Sequence, residues 1–175
     1  MFPFDRQRIT SAATSVNIVP AVFKTKAFFT GKTDRNLDIG GGRFDTASEW
    51  LRDNLGVMNF VYDPFNRDDD HNEAVLAAFK QHPADTVTVA NVLCVIAEAD
   101  VRKDVIQLAY DHLRDGGKAF FSIYEGDKSG IGGVTTKGWQ NNRLSRDYLS
   151  EIEAVFSDVA SKGRVIIATR TKYVS

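Results

Sequence analysis

Three consecutive glycines between two acidic residues are the part of this sequence best suited to hold a ligand. Gly40, Gly41 and Gly42 follow Asp38 and a short apolar stretch, and Asp63 follows a second apolar stretch 25 residues after Asp38. A strand that turns sharply into a helix uses glycines because the backbone adopts unusual angles there and must let a ligand approach. Three in a row predict a ligand-binding bend, although a tight turn without a ligand would use the same residues.

The charges around this bend distinguish two kinds of cofactor. A dinucleotide places its pyrophosphate at the helix N-terminus, and Asp45 stands where the G-x-G-x-x-G pattern has its third glycine. Two carboxylates, those of Asp38 and Asp45, would repel a pyrophosphate. S-adenosylmethionine instead carries an ammonium group and a sulfonium, and an acidic residue at the strand end suits that ammonium directly or through water.

The stretch 37–42, Leu-Asp-Ile-Gly-Gly-Gly, resembles the first motif of the Rossmann-like (class I) S-adenosylmethionine-dependent methyltransferases. The match rests on Asp38, Gly40 and Gly42. The sequence departs from the family pattern at Phe44, which replaces the usual last glycine. The resemblance covers most of the chain, and it implies S-adenosylmethionine as the cofactor and a methyltransferase activity.

Two further positions follow predicted strands that end near this bend. An acidic side chain at the end of the second strand of a βαβ unit can accept both ribose hydroxyls, although a solvated carboxylate is also common there. The resemblance implies that Asp63 is the ribose ligand and that Pro64 and Phe65 shape the adenine side. The resemblance also implies that the strand 86–90 ends beside the reactive methyl, where Asn91 either caps the strand end or hydrogen-bonds a substrate.

The methyl acceptor is expected to bind at the glycine-rich segment 126–143. Trp139, Gln140 and Asn141 combine an aromatic plate with amides, so a planar acceptor could stack on the indole while an amide reads its edge. The alternative is a glycine-rich surface loop with Trp139 tucked into the core. Both interpretations stay open at the level of sequence.

No residue is assigned as a catalytic base. Displacement at a sulfonium methyl needs mainly proximity and alignment, and only a hydroxyl or carbon acceptor requires a base. The sequence lacks the Asp/Asn-Pro-Pro-Tyr motif of amino-methylating DNA enzymes and the Pro-Cys motif of cytosine-carbon enzymes. One cysteine and three histidines stand at no metal-ligand spacing, so no metal site is expected.

The periodicity that must position these residues alternates between strands and helices. Predicted strands are 36–39, 59–62, 86–90 and 118–124, predicted helices are 46–55, 73–80, 100–114 and a fourth beginning at 145, and the predicted C-terminal hairpin pairs 158–161 with 164–169. The glycine pair at 116–117 is expected to end the third helix, and 126–138 to form a loop. This pattern predicts a three-layer α/β fold, Rossmann-like, with a mostly parallel sheet and an antiparallel C-terminal hairpin strand.

One edge strand of that fold is expected to be missing. Only a short helix separates the second strand from the strand 86–90, where the family usually has an extra strand and helix. The acidic residue that often follows the extra strand, near the adenine amino group, is then missing too. Asp85 or a backbone group is the expected substitute.

The whole chain of 175 residues is predicted to form a single domain with a lead-in segment at 1–32. Basic residues outnumber acidic ones in this lead-in, so it is either a solvated leader or a lid that favours an anionic acceptor. A net charge of −1 gives no general argument for a nucleic-acid or membrane-surface binder. No apolar stretch approaches the ~20 residues that span a bilayer, and we expect a cytoplasmic protein.

Three functional hypotheses follow. The first is a methyltransferase acting on a nucleic-acid base, a nucleotide or a small metabolite by direct displacement. The second is a noncatalytic S-adenosylmethionine-binding subunit or regulator, and the third, disfavoured by Asp38 and Asp45, is a nicotinamide-dependent oxidoreductase. A narrower resemblance, to small phage and bacterial methyltransferase-like proteins linked to DNA modification, is carried by the segments 62–64, 91–96 and 101–102. The oligomeric state is left open.

Overall fold

A six-stranded sheet forms the centre of the computed structural model, which describes residues 3–28 and 34–171. The strands in chain order are β1 Arg35–Ile39, β2 Met58–Tyr62, β3 Ala84–Ala90, β4 Leu113–Ser122, β5 Gly133–Thr135, β6 Gly138–Gln140, β7 Asp158–Lys162 and β8 Val165–Thr169. The main sheet has the order β2-β1-β3-β4-β8-β7, and β5 and β6 form a separate two-stranded sheet. The first four strands of this order are parallel, whereas β8 is antiparallel to β4 and β7 is antiparallel to β8.

In the described ranges four α-helices connect the strands: α1 Thr46–Leu55, α2 Asp69–Gln81, α3 Ala99–His112 and α4 Leu149–Glu153. The bounds of α1 agree with the prediction, and Gly56 ends it in the left-handed conformation at φ 67°. The predicted three-layer α/β architecture, with its mostly parallel sheet and antiparallel C-terminal pair, is confirmed.

The edge of the sheet next to β1 is formed by β2, as expected for a fold that lacks one strand. Residues 63–83, all of which the structure describes, contain α2 and no strand. The chain therefore passes from β2 through a single helix into β3, which pairs with the other side of β1. The carboxyl ends of β1, β2 and β3 thus lie side by side.

Two predicted elements are wrong in detail. The third helix ends at His112 rather than at the glycine pair, and Gly116 and Gly117 lie within β4, where the pairing with β3 is irregular. Glycine is favoured at position 117 because a Cβ would lie 2.9 Å from the Arg114 carbonyl oxygen and 3.0 Å from that of Asp85. The segment 126–138, predicted as a loop, contains β5 and leads into the β5–β6 hairpin.

The leader, residues 3–28 of the described chain, is part of the folded core. It consists of three short 3₁₀ turns, and Val22, Phe23 and Phe28 are buried in a cluster with Leu51 of α1 and Phe120 of β4. Apolar burial of this kind contributes on the order of 2 kcal/mol per large side chain. In the described residues, no helix has the length and apolar character needed to cross a bilayer.

Candidate functional site

A cavity of about 360 Å³ lies at the carboxyl ends of β1, β2 and β3, under the leader. This volume is within the usual range of small-molecule sites. Its lining comes from the glycine bend, from the segments after β2 and β3, and from the leader: Phe4, Gln7, Ser11, Ala12, Thr14, Ser15, Val16, Ile18, Pro20, Ala21, Asp38, Gly40, Gly41, Gly42, Phe44, Ala47, Asp63, Pro64, Phe65, Asn66, Ala90, Asn91, Val92, Val95 and Ile96. All seven residues that the sequence analysis assigned to the cofactor are among them.

The glycine bend has the backbone geometry that its residue types require. Gly40 and Gly42 have φ angles of 73° and 81°, in the region that favours glycine. A Cβ at Gly40 would collide with Val92, which follows β3. The Gly40 amide donates to the Tyr62 carbonyl over 2.7 Å, so the bend is anchored to the end of β2.

Asp38 lies beneath the bend with almost no exposure to solvent. Its side chain is oriented by Thr88, whose hydroxyl donates to Asp38 Oδ1 over 2.8 Å. A Cβ at Gly41 would lie 2.5 Å from Asp38 Oδ2, so glycine at position 41 makes room for the carboxylate. Burial raises the pKa of Asp38 from 3.8 to about 6, against the lowering effect of its hydrogen bonds.

The Asp63 carboxylate organises the loops on both sides of it. Oδ2 accepts the Gly42 amide at 2.9 Å, and Oδ1 accepts the amides of Phe65 and Asn66 at 3.0 and 3.1 Å. Asp63 therefore joins the glycine bend to the segment after β2. Ribose hydroxyls would have to share the carboxylate with these amides.

Asp45 has a partner that the sequence analysis missed. Arg67 forms an ion pair with Asp45 over 2.7 Å and donates from Nε to the Gly42 carbonyl at 2.9 Å. The charge of Asp45 is therefore offset by a cation, and Asp38 is the acidic residue of the bend itself that lines the cavity. The electrostatic argument against a pyrophosphate thus rests mainly on Asp38.

Asn91 lies at the cavity edge directly after β3. Its φ angle of 59° places it in the left-handed region, and its amide donates to the Ser122 carbonyl over 2.9 Å. The backbone of Asn91 thus ties the end of β3 to β4, and its side chain is exposed. Pro64 lines the cavity from the side of β2.

The middle of the leader contacts the glycine bend directly. The Ser15 hydroxyl accepts the Arg43 amide at 3.1 Å, and a Cβ at Gly42 would collide with the same hydroxyl. The ring of Phe4 packs edge-on against Phe65, with ring centroids 5.8 Å apart. The sequence pattern suggested a segment over the site, but only the folded chain identifies these contacts.

The cations of the leader do not face the cavity. Arg6 is paired with Asp100 and Asp104 of α3, and Arg8 lies 3.6 Å from Glu98. Within the described part of the chain, the cavity lining contains no lysine, arginine or histidine. The geometry therefore gives no support to the expectation of a lid that favours an anionic acceptor.

Trp139, Gln140 and Asn141 lie beside the cavity rather than in its lining. Asn141 is buried, and its amide donates to the carbonyl oxygens of Leu93 and Ile96 at 2.9 and 3.0 Å. Its Oδ1 accepts the indole N–H of Trp139 over 2.7 Å. The contacts of this group hold the segment after β3, which includes the lining residues Val95 and Ile96.

Arg102 supports the same segment and was not predicted as a site residue. It is buried, donates to the Ile96 and Ala97 carbonyls at 2.9 Å each, and forms a bidentate pair with Glu151 at 2.8 Å. Apart from the narrower resemblance at 101–102, the sequence signal for it is a charged residue on an otherwise apolar helix face.

Asp85 cannot replace a residue beside the adenine. It stands at the beginning of β3, where it accepts the amides of Asp34 and Arg35 at 3.1 and 3.0 Å and pairs with Arg114 at 2.7 Å. This is the opposite end of the parallel strands from the cavity, so the prediction for Asp85 is wrong. In the described residues no cluster of histidine, cysteine, aspartate or glutamate could hold a metal ion.

Solved structures, rather than sequences, relate this chain to known proteins. No family model matches it, and no curated protein sequence matches it. Human N-acetylserotonin methyltransferase, solved with S-adenosylmethionine, superposes with a TM-score of 0.57 at 19% identity over 84% of this chain and 50% of that one. PigF, solved with S-adenosylhomocysteine, gives 0.56 at 14% identity over 83% and 52% of the two chains.

A third structure is matched over nearly its whole length. CalS10 from Micromonospora echinaspora, an amino pentose methyltransferase solved with S-adenosylmethionine, has a TM-score of 0.54 at 13% identity over 86% of this chain and 89% of that one. The chain thus spans about half the length of the first two structures and most of the third. These similarities, together with a cavity at the carboxyl ends of β1 to β3, show that the chain has the class I S-adenosylmethionine-dependent methyltransferase fold.

Proposed function

We propose that this chain binds S-adenosylmethionine in the cavity and transfers its methyl group to a small acceptor. The observation that carries the proposal is the buried carboxylate of Asp38 at a glycine bend, in a cavity whose described lining has no cation. Such a site attracts the ammonium and sulfonium of S-adenosylmethionine and offers no cation to a pyrophosphate.

In this proposal the parts of S-adenosylmethionine lie along the carboxyl ends of β1, β2 and β3. Asp38 and the glycines at 40–42 take the amino-acid tail, Asp63 takes the ribose hydroxyls, and Pro64 borders the adenine. Asn91 lies beside the methyl. Support for this arrangement comes from the cavity itself, because each of these residues contributes to its lining.

The acceptor is proposed to be an uncharged small molecule. Val16, Ile18 and Phe44 line the cavity and are 54%, 62% and 37% exposed, so they give its mouth an apolar rim. A nucleotide or nucleic acid would need cations for its phosphates, and the described lining supplies none. Trp139, Gln140 and Asn141 contribute by holding the cavity wall, and a direct contact of Trp139 with the acceptor stays a prediction.

The transfer is proposed to proceed by alignment rather than by proton abstraction. In the described lining the ionisable side chains are those of Asp38 and Asp63, and both are engaged by hydrogen bonds. The leaving sulfide is neutral, so holding the acceptor in line with the methyl supplies most of the rate. The leader, residues 3–28, acts as the lid that excludes water during this step.

The cofactor assignment is tested by heat stability and by titration calorimetry. S-adenosylmethionine and S-adenosylhomocysteine are expected to raise the unfolding temperature, and NAD is not, because a ligand that binds the folded state stabilises it. Asp38→Asn is expected to weaken S-adenosylhomocysteine binding about 10- to 100-fold, the usual effect of losing one charged hydrogen bond. Asp158→Asn, on the exposed edge strand β7, is the matched control and should bind like the parent. Stabilisation by NAD alone would overturn the assignment.

The acceptor class is tested by methyl transfer from labelled S-adenosylmethionine. Separate pools of uncharged metabolites, nucleotides, RNA and DNA are incubated with the protein, and the label is expected in the uncharged pool. Label in a nucleotide or nucleic acid would contradict the acceptor class while leaving the cofactor assignment intact.

The second candidate function is a noncatalytic S-adenosylmethionine-binding subunit or regulator. The observation that favours it is the lack of a free base in the described lining of the cavity. Tight S-adenosylhomocysteine binding without label in any pool would support this function over the first.

A further inference from the structure

A chain of hydrogen-bonded polar side chains crosses three strands beneath the glycine bend. Asn36 and Asp38 of β1, Thr86 and Thr88 of β3 and Asn59 of β2 share one face of the sheet, because alternate residues of a strand point to the same side. All but Asn59 are buried. Burying a polar group costs free energy unless the group is hydrogen-bonded. The donor and acceptor of each bond in this chain can therefore be assigned.

The Asn36 amide determines how the neighbouring hydroxyl is oriented. Its Nδ2 donates to Asn59 Oδ1 at 2.7 Å and to Thr88 Oγ1 at 3.0 Å, while its Oδ1 accepts the Thr86 hydroxyl at 2.7 Å. Both amide hydrogens are therefore used. The Thr88 oxygen already accepts from Asn36, so its single hydrogen is directed at Asp38 Oδ1, 2.8 Å away.

Asn59 of β2 belongs to the same group of side chains. Its Nδ2 donates to Ser48 Oγ of α1 at 3.0 Å, and its presence lowers the pKa of Asp38. The donor to the Asp38 carboxylate itself is Thr88 of β3. Donors directed at a carboxylate favour its charged form and oppose the effect of burial.

We propose that Thr88, oriented by Asn36, is a positioning residue that keeps Asp38 ionised and aimed at the cofactor's ammonium near neutral pH. This inference rests on the proposed function, since Asp38 is its binding carboxylate. Thr88 touches neither cofactor nor acceptor in this scheme and acts only through Asp38.

The other charges near Asp38 are few. Asp63 opposes its ionisation and Arg67 favours it, both from the segment after β2. The neighbouring strands present the uncharged Thr88 and the uncharged Asn59, and Asn59 is in turn bonded to the uncharged Ser48 of α1. A change at Thr88 is therefore expected to act on Asp38 through the hydrogen bond rather than by removing a charge.

The test measures S-adenosylhomocysteine affinity between pH 5 and pH 9. The parent should lose affinity as the pH falls through about 6, where Asp38 becomes protonated. Thr88→Val is nearly isosteric but removes the donor, so the midpoint should move up by about one pH unit, which should lower affinity about tenfold at pH 5 and about twofold at pH 7. Thr88→Ser should restore the parent midpoint.

The matched control is Thr86→Val, two residues away on the same face of β3. It removes a buried hydroxyl that donates to Asn36 and not to Asp38, so its midpoint should equal that of the parent. If the loss of a buried hydroxyl acted only by disturbing the structure, the binding midpoint would shift equally in both valine variants. Circular dichroism establishes that each variant is folded.

A second measurement does not depend on ligand binding. Carbon-13 NMR of the Asp38 carboxyl follows its titration in the ligand-free protein, in the parent and in Asn36→Ala, which removes the donor that orients Thr88. The Asp38 midpoint should rise in Asn36→Ala. This experiment also replaces Thr88→Val if that variant does not fold.

The outcomes separate the inference from the proposed function. An unchanged Asp38 midpoint in Thr88→Val or Asn36→Ala, or an equal shift in Thr86→Val, overturns the positioning role while cofactor binding by the parent stands. Failure of the parent to bind S-adenosylhomocysteine at any pH overturns the proposed function, and the inference with it.

Discussion

At the scale of single residues, the ionised form of Asp38 that would bind the cofactor is expected to lower the stability of the ligand-free protein. Burial raises its pKa above the ordinary value, so the ionised form is less stable in the folded protein than in the unfolded chain. The stability that this group contributes is fully present below pH 3.8 and is lost as the pH rises through about 6. A cationic ligand beside the carboxylate would restore part of the lost free energy of unfolding.

This cost predicts a pH-dependent effect of Asp38→Asn on the ligand-free protein. A rise in pKa from 3.8 to about 6 corresponds to about 3 kcal/mol. Between pH 4 and pH 8 the parent should therefore lose up to about 3 kcal/mol of unfolding free energy that the variant keeps, because asparagine does not ionise. Urea unfolding at both pH values measures the difference. Parallel pH profiles for parent and variant would show that Asp38 is not strained by burial.

At the scale of elements, the bend between β1 and α1 is limited by what lies above it as well as by its own backbone. Gly40 combines a positive φ with contact against Val92, so a side chain would meet both strain and collision. Gly163, in the turn between β7 and β8, has a positive φ of 62° but open space around it. A comparison of substitutions at these two glycines therefore distinguishes backbone strain, which both share, from side-chain crowding, which only Gly40 has.

We predict that Gly40→Ala destabilises the protein more than Gly163→Ala does. Gly163→Ala should cost about 1–2 kcal/mol, the strain of a left-handed alanine, and should leave S-adenosylhomocysteine affinity unchanged. Gly40→Ala should add the cost of displacing Val92 and weaken that affinity at least tenfold. Denaturation and calorimetry on both variants provide the comparison. Equal losses of stability and binding would mean that contact with Val92 has no effect.

At the scale of the whole molecule, the leader is held on both sides of the cavity. Its first turn is paired with α3 through Arg6, and its last turn is buried with Phe23 and Phe28 against α1 and β4. Between these anchors Ser15 lies on the glycine bend. The lid role proposed for the leader therefore implies that its middle moves while its anchors hold.

Removing the contact between the leader and α3 should change the rate of ligand dissociation more than the free energy of unfolding. Arg6→Ala removes two exposed ion pairs, each worth at most about 1 kcal/mol, so the unfolding free energy should change little. Dissociation of S-adenosylhomocysteine, followed by stopped-flow displacement, should become about two- to fivefold faster. Arg52→Ala removes an exposed pair with Asp53 on α1 and should leave dissociation unchanged. Equal rates for parent and Arg6→Ala would argue against the leader as a lid.

Features encoded by neighbouring residues were predictable from the sequence. The alternation of apolar strands with amphipathic helices determined the parallel sheet, the single helix between β2 and β3 indicated the missing edge strand, and the glycines after Asp38 marked the bend. Each of these depends on periodicity or turn chemistry within a few residues, which does not change when distant segments pack.

The tertiary structure decided what depends on residues far apart in the chain. It paired Asp45 with Arg67 and Arg6 with α3. It placed Asp85 at the end of β3 away from the cavity, and it bonded the Asn141 amide to carbonyls of the segment after β3. It also converted the glycine pair expected to end α3 into part of β4. The sequence alone determined that Asp38 stands at a glycine bend, because chain neighbours create that bend. Only folding brought Thr88, Asn36 and the leader to it, because their contacts join strands and segments that are not adjacent in sequence.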